Sequence, residues 1–114
     1  MQHIGIFANP GNASALDAVK SIIQSAGAAS FTCAVDSSLK ELSSFAKIPS
    51  FQQEPPEVIL ALGGDGTILR AAALALSLGV PVVGINFGRV GFMSGISAQE
   101  VPLALDRDVY KRQA

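Results

Sequence analysis

The stretch LALGGDGTILRAAALAL, residues 60–76, changes character in its middle. Its start belongs to the run VILAL (58–62), which lacks polar alternation and is typical of a strand covered on both faces of a parallel sheet. Its end is rich in alanine and leucine and favours a helix, predicted over 67–78 and closed by Gly79. Three glycines and a lone carboxylate, Asp65, separate the two. The order strand, glycine turn, helix predicts an α/β unit.

The flanking segments extend this alternation of strands and helices. Strands are predicted at 3–8, 30–35 and 81–85, and helices at 13–26 and, from a weaker pattern, at 39–48. The helix over 67–78 carries one charge, Arg70, and is expected to be buried on most sides. The whole order predicts a doubly wound, mostly parallel α/β sheet with right-handed crossovers, in which 58–62 is a central strand.

Length and composition indicate one domain. A chain of 114 residues is sufficient for a single core. We interpret residues 1–105 as an α/β nucleotide-binding domain, in which the capping-box pattern SAQE predicts a further helix over about 98–106. Residues 106–114, DRDVYKRQA, hold five charges and no apolar period, which predicts a disordered or non-native tail.

Charge and cysteine content argue against several classes of protein. Eight basic and nine acidic residues leave a net charge of -1, so no broad electrostatic surface for nucleic acid or an anionic membrane is expected. No apolar run approaches the roughly 18–20 residues of a membrane span. The single cysteine, Cys33, is interpreted as a buried thiol, and the N-terminus lacks the cationic lead of a signal peptide. A cytoplasmic location is the resulting prediction.

The glycine turn follows the carboxyl end of a strand, where ligands bind in open parallel sheets. Glycines allow positive φ and close approach of a ligand, and the N–H groups that begin a helix attract anions. Two interpretations stay open on these residues: a phosphate site, or a tight turn in which Asp65 caps the helix. The usual fingerprints do not fit, because a dinucleotide pattern from Gly64 needs glycine at 69 and a Walker loop from Gly63 needs Gly-Lys at 68–69.

A second glycine-rich segment, GINFGRVGFMSG (84–95), follows the predicted strand 81–85. Because both turns follow strands of one parallel sheet, they are expected to line a common crevice at the same edge. Arg89 is a cationic candidate for a phosphate. Asn86 is a candidate to bind substrate or to brace the turn, and Phe92 to stack on a base or to join the core.

Together these motifs resemble the NAD kinase family. GGDGTILRAA (63–72) and GVPVVGINFGRVGF (79–92) are similar to the family's GGDGT signature and its downstream G-I-N-x-G-x-x-G-F segment, and IGIFANP (4–10) resembles its first strand. The resemblance covers residues 2 to about 105. GGDGT also occurs in diacylglycerol kinases, sphingosine kinases and phosphofructokinases, but a lipid kinase would be expected to show a P-x-G-T-x-N-D-type segment, which this sequence lacks.

The resemblance implies a Rossmann-like domain of an enzyme that transfers the γ-phosphoryl group of ATP, or of polyphosphate, to the 2′-hydroxyl of NAD with Mg²⁺, giving NADP. It implies that Asp65 is the general base, that Gly64 and Gly66 make room for substrate, and that Phe92 lines the dinucleotide pocket. Thr67 is a candidate to touch phosphate, or to cap the helix. We assign no residue of this chain as a metal ligand.

The family continues into a second, β-rich domain that carries an Asn-Glu or Asn-Asp motif, and this sequence contains neither pair. We therefore expect a catalytic N-terminal domain without its β-rich partner, inactive by itself and part of a homo-oligomer. Two alternatives stay open: a non-catalytic nucleotide- or phosphate-binding or dimerising fragment, and a lipid kinase domain of the diacylglycerol type.

Overall fold

The computed structural model describes residues 2–26 and 31–86. The strands are β1 (Gln2–Ala8), β2 (Phe31–Val35), β3 (Val58–Gly63) and β4 (Val82–Asn86). The helices are α1 (Ala13–Ser25), α2 (Ser37–Lys40) and α3 (Asp65–Leu78), and a 3₁₀ helix spans Ser43–Phe45. The helix predicted over 98–106 and the predicted tail at 106–114 lie outside the described residues.

The strands form one parallel sheet in the order β2-β1-β3-β4, which confirms the predicted α/β class. Strand β3 lies between β1 and β4 and is buried along its whole length, so the prediction of a central strand is confirmed. Gly63 at the end of β3 pairs with Asn86 at the end of β4. The carboxyl ends of these two strands therefore meet at one edge of the sheet.

Two packed layers explain why β3 shows no polar alternation. Successive side chains of a strand point to opposite faces. Leu60 belongs to the core that α1 covers, together with Leu39 and Phe45. Its neighbours Ile59 and Ala61 belong to the second core, which α3 covers. Since both faces are covered, both sets of β3 side chains must be apolar.

Helix α1 forms where the sequence predicts it. Asn12 is its N-cap, and the Oδ1 atom of that side chain accepts a hydrogen bond from the Ala15 backbone N–H at 3.0 Å. Val19 and Ile22 follow at helical spacing and are buried against the sheet. A turn precedes the cap, in which the Asn12 N–H donates a hydrogen bond to the Asn9 carbonyl at 3.0 Å.

The helix predicted over 39–48 is wrong. Within that range only Leu39 and Lys40 are α-helical, as the end of the four-residue α2, and the short 3₁₀ helix follows. Serines at 37, 38, 43 and 44 favour local side-chain bonds over helix continuation. The Lys40 ammonium group instead holds the irregular segment by donating to the carbonyls of Ala46 and Ile48, each at 2.8 Å.

The expectation that α3 is buried on most sides is also wrong. Its buried residues are Thr67, Ala71 and Ala75, whereas Leu69 and Leu76 are 70% and 84% exposed. The sheet covers only one side of the helix, and small residues on that side let it approach the strands closely. The alanine content of α3 therefore reflects helix propensity and close packing, not burial all round.

The Cys33 side chain differs from its prediction. Cys33 is half-buried, not buried, and desolvation raises the pKa of its thiol to about 11. The thiol is therefore protonated at neutral pH and a poor nucleophile.

Within residues 2–26 and 31–86 we find no helix with the length and apolar character that crossing a membrane requires.

Candidate functional site

The glycine turn begins at Gly63, where the backbone excludes any other residue. Gly63 has φ +156°, and a Cβ atom added there would lie 2.9 Å from the Cβ of Thr67. Thr67 is 3% exposed and packs directly beneath the turn. Gly63 is therefore required by the fold, because the first turn of α3 must fit against the end of β3.

Gly64 is different, because the space beside it is open. It is the N-cap of α3 with extended backbone angles, φ −91° and ψ −176°, which any residue adopts. A Cβ added there would meet no atom of residues 2–26 or 31–86 within 4 Å. The main chain at Gly64 is thus accessible from outside, and a molecule can approach it more closely than it could approach a residue with a side chain.

Asp65 is the first residue of α3 and is exposed at the mouth of the turn. The Nδ2 atom of Asn86 donates a hydrogen bond to its Oδ1 atom. Asn86 is 8% exposed at the end of β4, so its amide is fixed by the surrounding structure. The contact joins the two glycine-rich motifs at the common sheet edge that the sequence predicts, and it holds the Asp65 carboxylate in one orientation.

The Thr67 side chain lies beneath the glycine turn and does not form part of its exposed surface. Helix α3 begins two residues earlier than predicted, so Gly64 occupies the cap position and the expectation that Thr67 caps the helix is wrong. The Thr67 hydroxyl oxygen instead accepts a hydrogen bond from Arg70 Nη2 at 3.3 Å.

Arg70, the one charged residue predicted within the helix, lies near the glycine turn. Its Nη1 atom lies 3.5 Å from the Cβ position of a side chain at Gly66. The guanidinium group therefore extends back over Gly66 and Thr67, toward the N-terminal end of α3. Arg70 follows Thr67 by three residues and Gly66 by four, and residues at these spacings are neighbours on a helix surface. This spacing is the signal by which the sequence could have placed Arg70 near the turn.

Of the residues predicted for the site, Gly64, Asp65, Gly66 and Asn86 converge at this edge, and Thr67 supports them from below. Arg89 and Phe92 lie outside the described residues.

The described residues of the site offer groups that can bind a phosphate and a group that can bind a hydroxyl. The first N–H groups of an α-helix have no partner within the helix and favour an anion, and the Arg70 guanidinium adds a positive charge at the same end. The Asp65 carboxylate accepts hydrogen bonds and repels a phosphate placed directly on it. The arrangement suits a ligand that presents a hydroxyl group to Asp65 and a phosphate to the helix end.

Comparison with known proteins agrees with this geometry. Residues 4–113 match the family model described as the ATP-NAD kinase N-terminal domain. An NAD kinase of Gemmatimonas aurantiaca is 32% identical over 104 residues, which are 91% of this chain and 36% of that protein. An NAD kinase of Nocardia farcinica is 55% identical over 53 residues, which are 46% of this chain and 16% of that protein.

The fold is also similar to that of yeast NADH kinase in its crystal structure with NADH. The TM-score is 0.60 at 20% identity, over 98% of this chain and 37% of the yeast chain. The chain thus spans about a third of the length of the Gemmatimonas and yeast proteins. On the family match and the 32% identity over nearly its whole length, the chain belongs to the NAD kinase family, of which it carries the N-terminal domain.

Proposed function

We propose that this chain is the part of an NAD kinase that presents the acceptor hydroxyl for phosphoryl transfer from ATP to NAD, giving NADP. The observation that supports this most directly is the Asn86–Asp65 contact, which fixes a carboxylate at the open edge of the sheet. The names of the relatives agree with it, since they are NAD kinases, and the yeast relative is an NADH kinase with NADH bound.

In the proposed reaction the 2′-hydroxyl oxygen of the adenosine ribose attacks the γ-phosphorus of ATP. A new P–O bond forms there, the bond to the β,γ-bridging oxygen breaks, and ADP leaves with that electron pair. The hydroxyl proton passes to the Asp65 carboxylate or to a water molecule beside it. Because the transition state is loose, little proton removal is needed early, and the main task of Asp65 is to orient the hydroxyl group.

The other residues of the turn are assigned to binding. Open space at Gly64 admits the sugar to the main chain. The Arg70 guanidinium, together with the helix N-terminus, would contact a phosphate. Mg²⁺ would bind through the phosphates of the nucleotide, and no residue of this chain is assigned as its ligand. The ion would neutralise charge on the transferred group. We propose that Arg89 and Phe92 complete the phosphate and base contacts.

The test is a chimera in which residues 4–104 of this chain replace the matching segment of the Gemmatimonas NAD kinase. It is incubated with ATP, Mg²⁺ and NAD, and NADP is measured with a coupled dehydrogenase. We expect turnover from the chimera and none from the 114-residue chain alone. A folded chimera that binds NAD and forms no NADP would favour the non-catalytic binding module, and phosphorylation of diacylglycerol instead of NAD would favour the lipid kinase. Replacing ATP with polyphosphate identifies the donor.

We also propose that the protein acts in the cytoplasm as a homo-oligomer. Leu69 and Leu76 give α3 an exposed apolar surface of a kind that often marks an interface. Light scattering after size-exclusion chromatography tests this: a mass that stays that of one chain across a hundredfold range of concentration contradicts it. Cell fractionation tests the location.

A further inference from the structure

A groove of about 440 Å³ lies beside α3, away from the glycine turn. Helix α3 packs over β3 and β4 and reaches only the margin of β1. The ring of Phe51 lies over the rest of β1, where a Cβ on Gly5 would be 2.8 Å from Phe51 Cε1. The groove lies between this ring and the last two turns of α3, represented by Leu74 and Leu78. Its volume falls within the range of about 300–1,000 Å³ typical of small-ligand sites.

The two ends of the groove differ in chemistry. At the carboxyl end of β2, Asp36, Ser37 and Ser50 line it, and the β-bridge between Val35 and Ser50 brings these residues together. Helix α3 follows β3 by a tight turn and runs back along the sheet, so Leu74 and Leu78 lie toward the amino ends of the strands. A ligand that fits must therefore be apolar at one end and rich in hydroxyl groups at the other.

The polar end has an available acceptor. Asp36 Oδ2 accepts hydrogen bonds from the N–H and hydroxyl of Ser38, at 3.1 and 2.6 Å, and so caps α2. Asp36 Oδ1 has no hydrogen-bond partner among residues 2–26 and 31–86. A carboxylate at the end of the second strand of a nucleotide-binding sheet is well placed to accept from a ribose diol. A phosphate is disfavoured there, because Asp36 is anionic and the described lining contains no lysine or arginine.

We propose that this groove binds a nucleoside, with the base stacked on Phe51 beside Leu74 and the ribose diol on the Asp36 carboxylate. An aromatic ring with apolar neighbours suits the flat base, and charge-assisted hydrogen bonds suit the diol. The site is separate from the glycine turn: Asp36 lies two strands from β3, which puts it about 12 Å from Gly63 on ordinary strand spacings. It does not depend on the proposed kinase activity.

The test measures binding of adenosine and of 2′,3′-dideoxyadenosine to the 114-residue chain, by calorimetry or by NMR shifts. We expect saturable binding of adenosine, about tenfold or more tighter than binding of the dideoxy analogue, since the analogue lacks both hydroxyls. Asp36→Asn should abolish this difference. It keeps an oxygen that caps α2, so the urea midpoint should be nearly unchanged. Asp17→Asn, an exposed charge removal on α1, is the control and should alter neither.

The apolar end is tested with a matched pair on one helix. Leu78→Gln, in the groove, should weaken adenosine binding at least about threefold, and Leu76→Gln, outside it, should not. Asp65→Asn, measured in the same assay, locates the bound adenosine: loss of binding with Asp36→Asn places it in the groove, and loss with Asp65→Asn alone places it at the candidate active site. The proposal is overturned if adenosine does not saturate the chain, if the two nucleosides bind equally, or if Asp65→Asn removes binding and Asp36→Asn does not.

Discussion

The two ends of the sheet use similar side chains for different purposes. At the carboxyl end, Asp65 is exposed at the start of a helix beside an open glycine. At the amino end, Glu57 Oε1 accepts from the His3 backbone N–H at 2.7 Å, and the Glu57 N–H donates to the His3 carbonyl at 2.9 Å. One carboxylate faces a space that a ligand can enter. The other is used to join the start of β1 to the residue before β3.

The side chain of His3, at the amino end of the sheet, is also bonded to the surrounding fold. Its Nε2 atom lies 3.2 Å from the Glu54 carbonyl oxygen, which can only accept, so in the neutral ring Nε2 carries the hydrogen. Nδ1 then accepts from the Thr32 hydroxyl at 2.7 Å. Both ring nitrogens of His3 therefore serve the fold, because they join β1 to β2 and to the segment that precedes β3. The comparison teaches that a carboxylate in a small domain can join two strands through backbone groups, as Glu57 does, or can be held exposed at a glycine turn by a neighbouring amide, as Asp65 is.

The largest expected effect is on catalysis. In the chimera, Asp65→Asn should lower kcat by about 10² to 10⁴, because the amide cannot take or orient the hydroxyl proton as the carboxylate does. The free energy of unfolding should change by less than about 1 kcal/mol, since Asp65 is exposed and its helix-end interaction is worth at most about that much. Initial-rate kinetics and urea unfolding measure the two quantities. Unchanged turnover would refute the proposed role of Asp65.

The next effect is on folding at the same turn. Gly63→Ala should destabilise the 114-residue chain by about 2–4 kcal/mol, because the new methyl group collides with Thr67 and the backbone angle disfavours alanine. A fall in the urea midpoint measures it. A midpoint equal to that of the unaltered chain would show that the turn relaxes at little cost.

At the amino end we expect a smaller loss of stability. His3→Ala removes the ring hydrogen bonds to Thr32 and Glu54 and should cost about 1–2 kcal/mol, with no change in the kcat of the chimera. Thr32→Val completes a double-mutant cycle with it. A coupling energy near zero, or a loss of kcat without a loss of stability, would contradict a purely structural role.

The smallest expected effect on stability is at Gly64. Gly64→Ala should change the unfolding free energy by less than about 0.5 kcal/mol, because nothing lies within 4 Å of the new methyl group and the backbone angles suit alanine. The KM for NAD in the chimera should rise, since the methyl group occupies the proposed approach to the main chain. Gly63→Ala is the matched contrast. An unchanged KM would remove Gly64 from the proposed substrate contacts.

Most of the fold could be predicted because its signals are local. The apolar run of β3, the amphipathic period of α1 and the Asn12 cap each depend on neighbouring residues. The two failures have different causes. The short α2 follows from local serines, a signal that the helical spacing of the apolar residues at 39–48 obscures. The exposure of α3 depends on which side of the helix the sheet covers, and a short window of sequence does not show this.

Some features of the candidate site could also be predicted from the sequence, and others could not. Asp65, its glycines and Asn86 could be found from sequence, because turns after parallel strands open at one edge. That Thr67 lies below the turn could not, because it follows from a helix start two residues earlier than predicted. The position of Arg70 over the turn had a signal in its helical spacing from Gly66 and Thr67.

The sequence by itself determined that a glycine-rich segment follows each of two predicted strands, because composition and period indicate the local conformation of β3 and β4. Only the tertiary structure decided that Asn86 holds Asp65, that Gly63 serves packing while Gly64 leaves space, and that Asp36 faces a groove. These depend on the pairing of β3 with β4 and on the face of the sheet that α3 covers. Such contacts join residues far apart in the chain, so local preferences do not specify them.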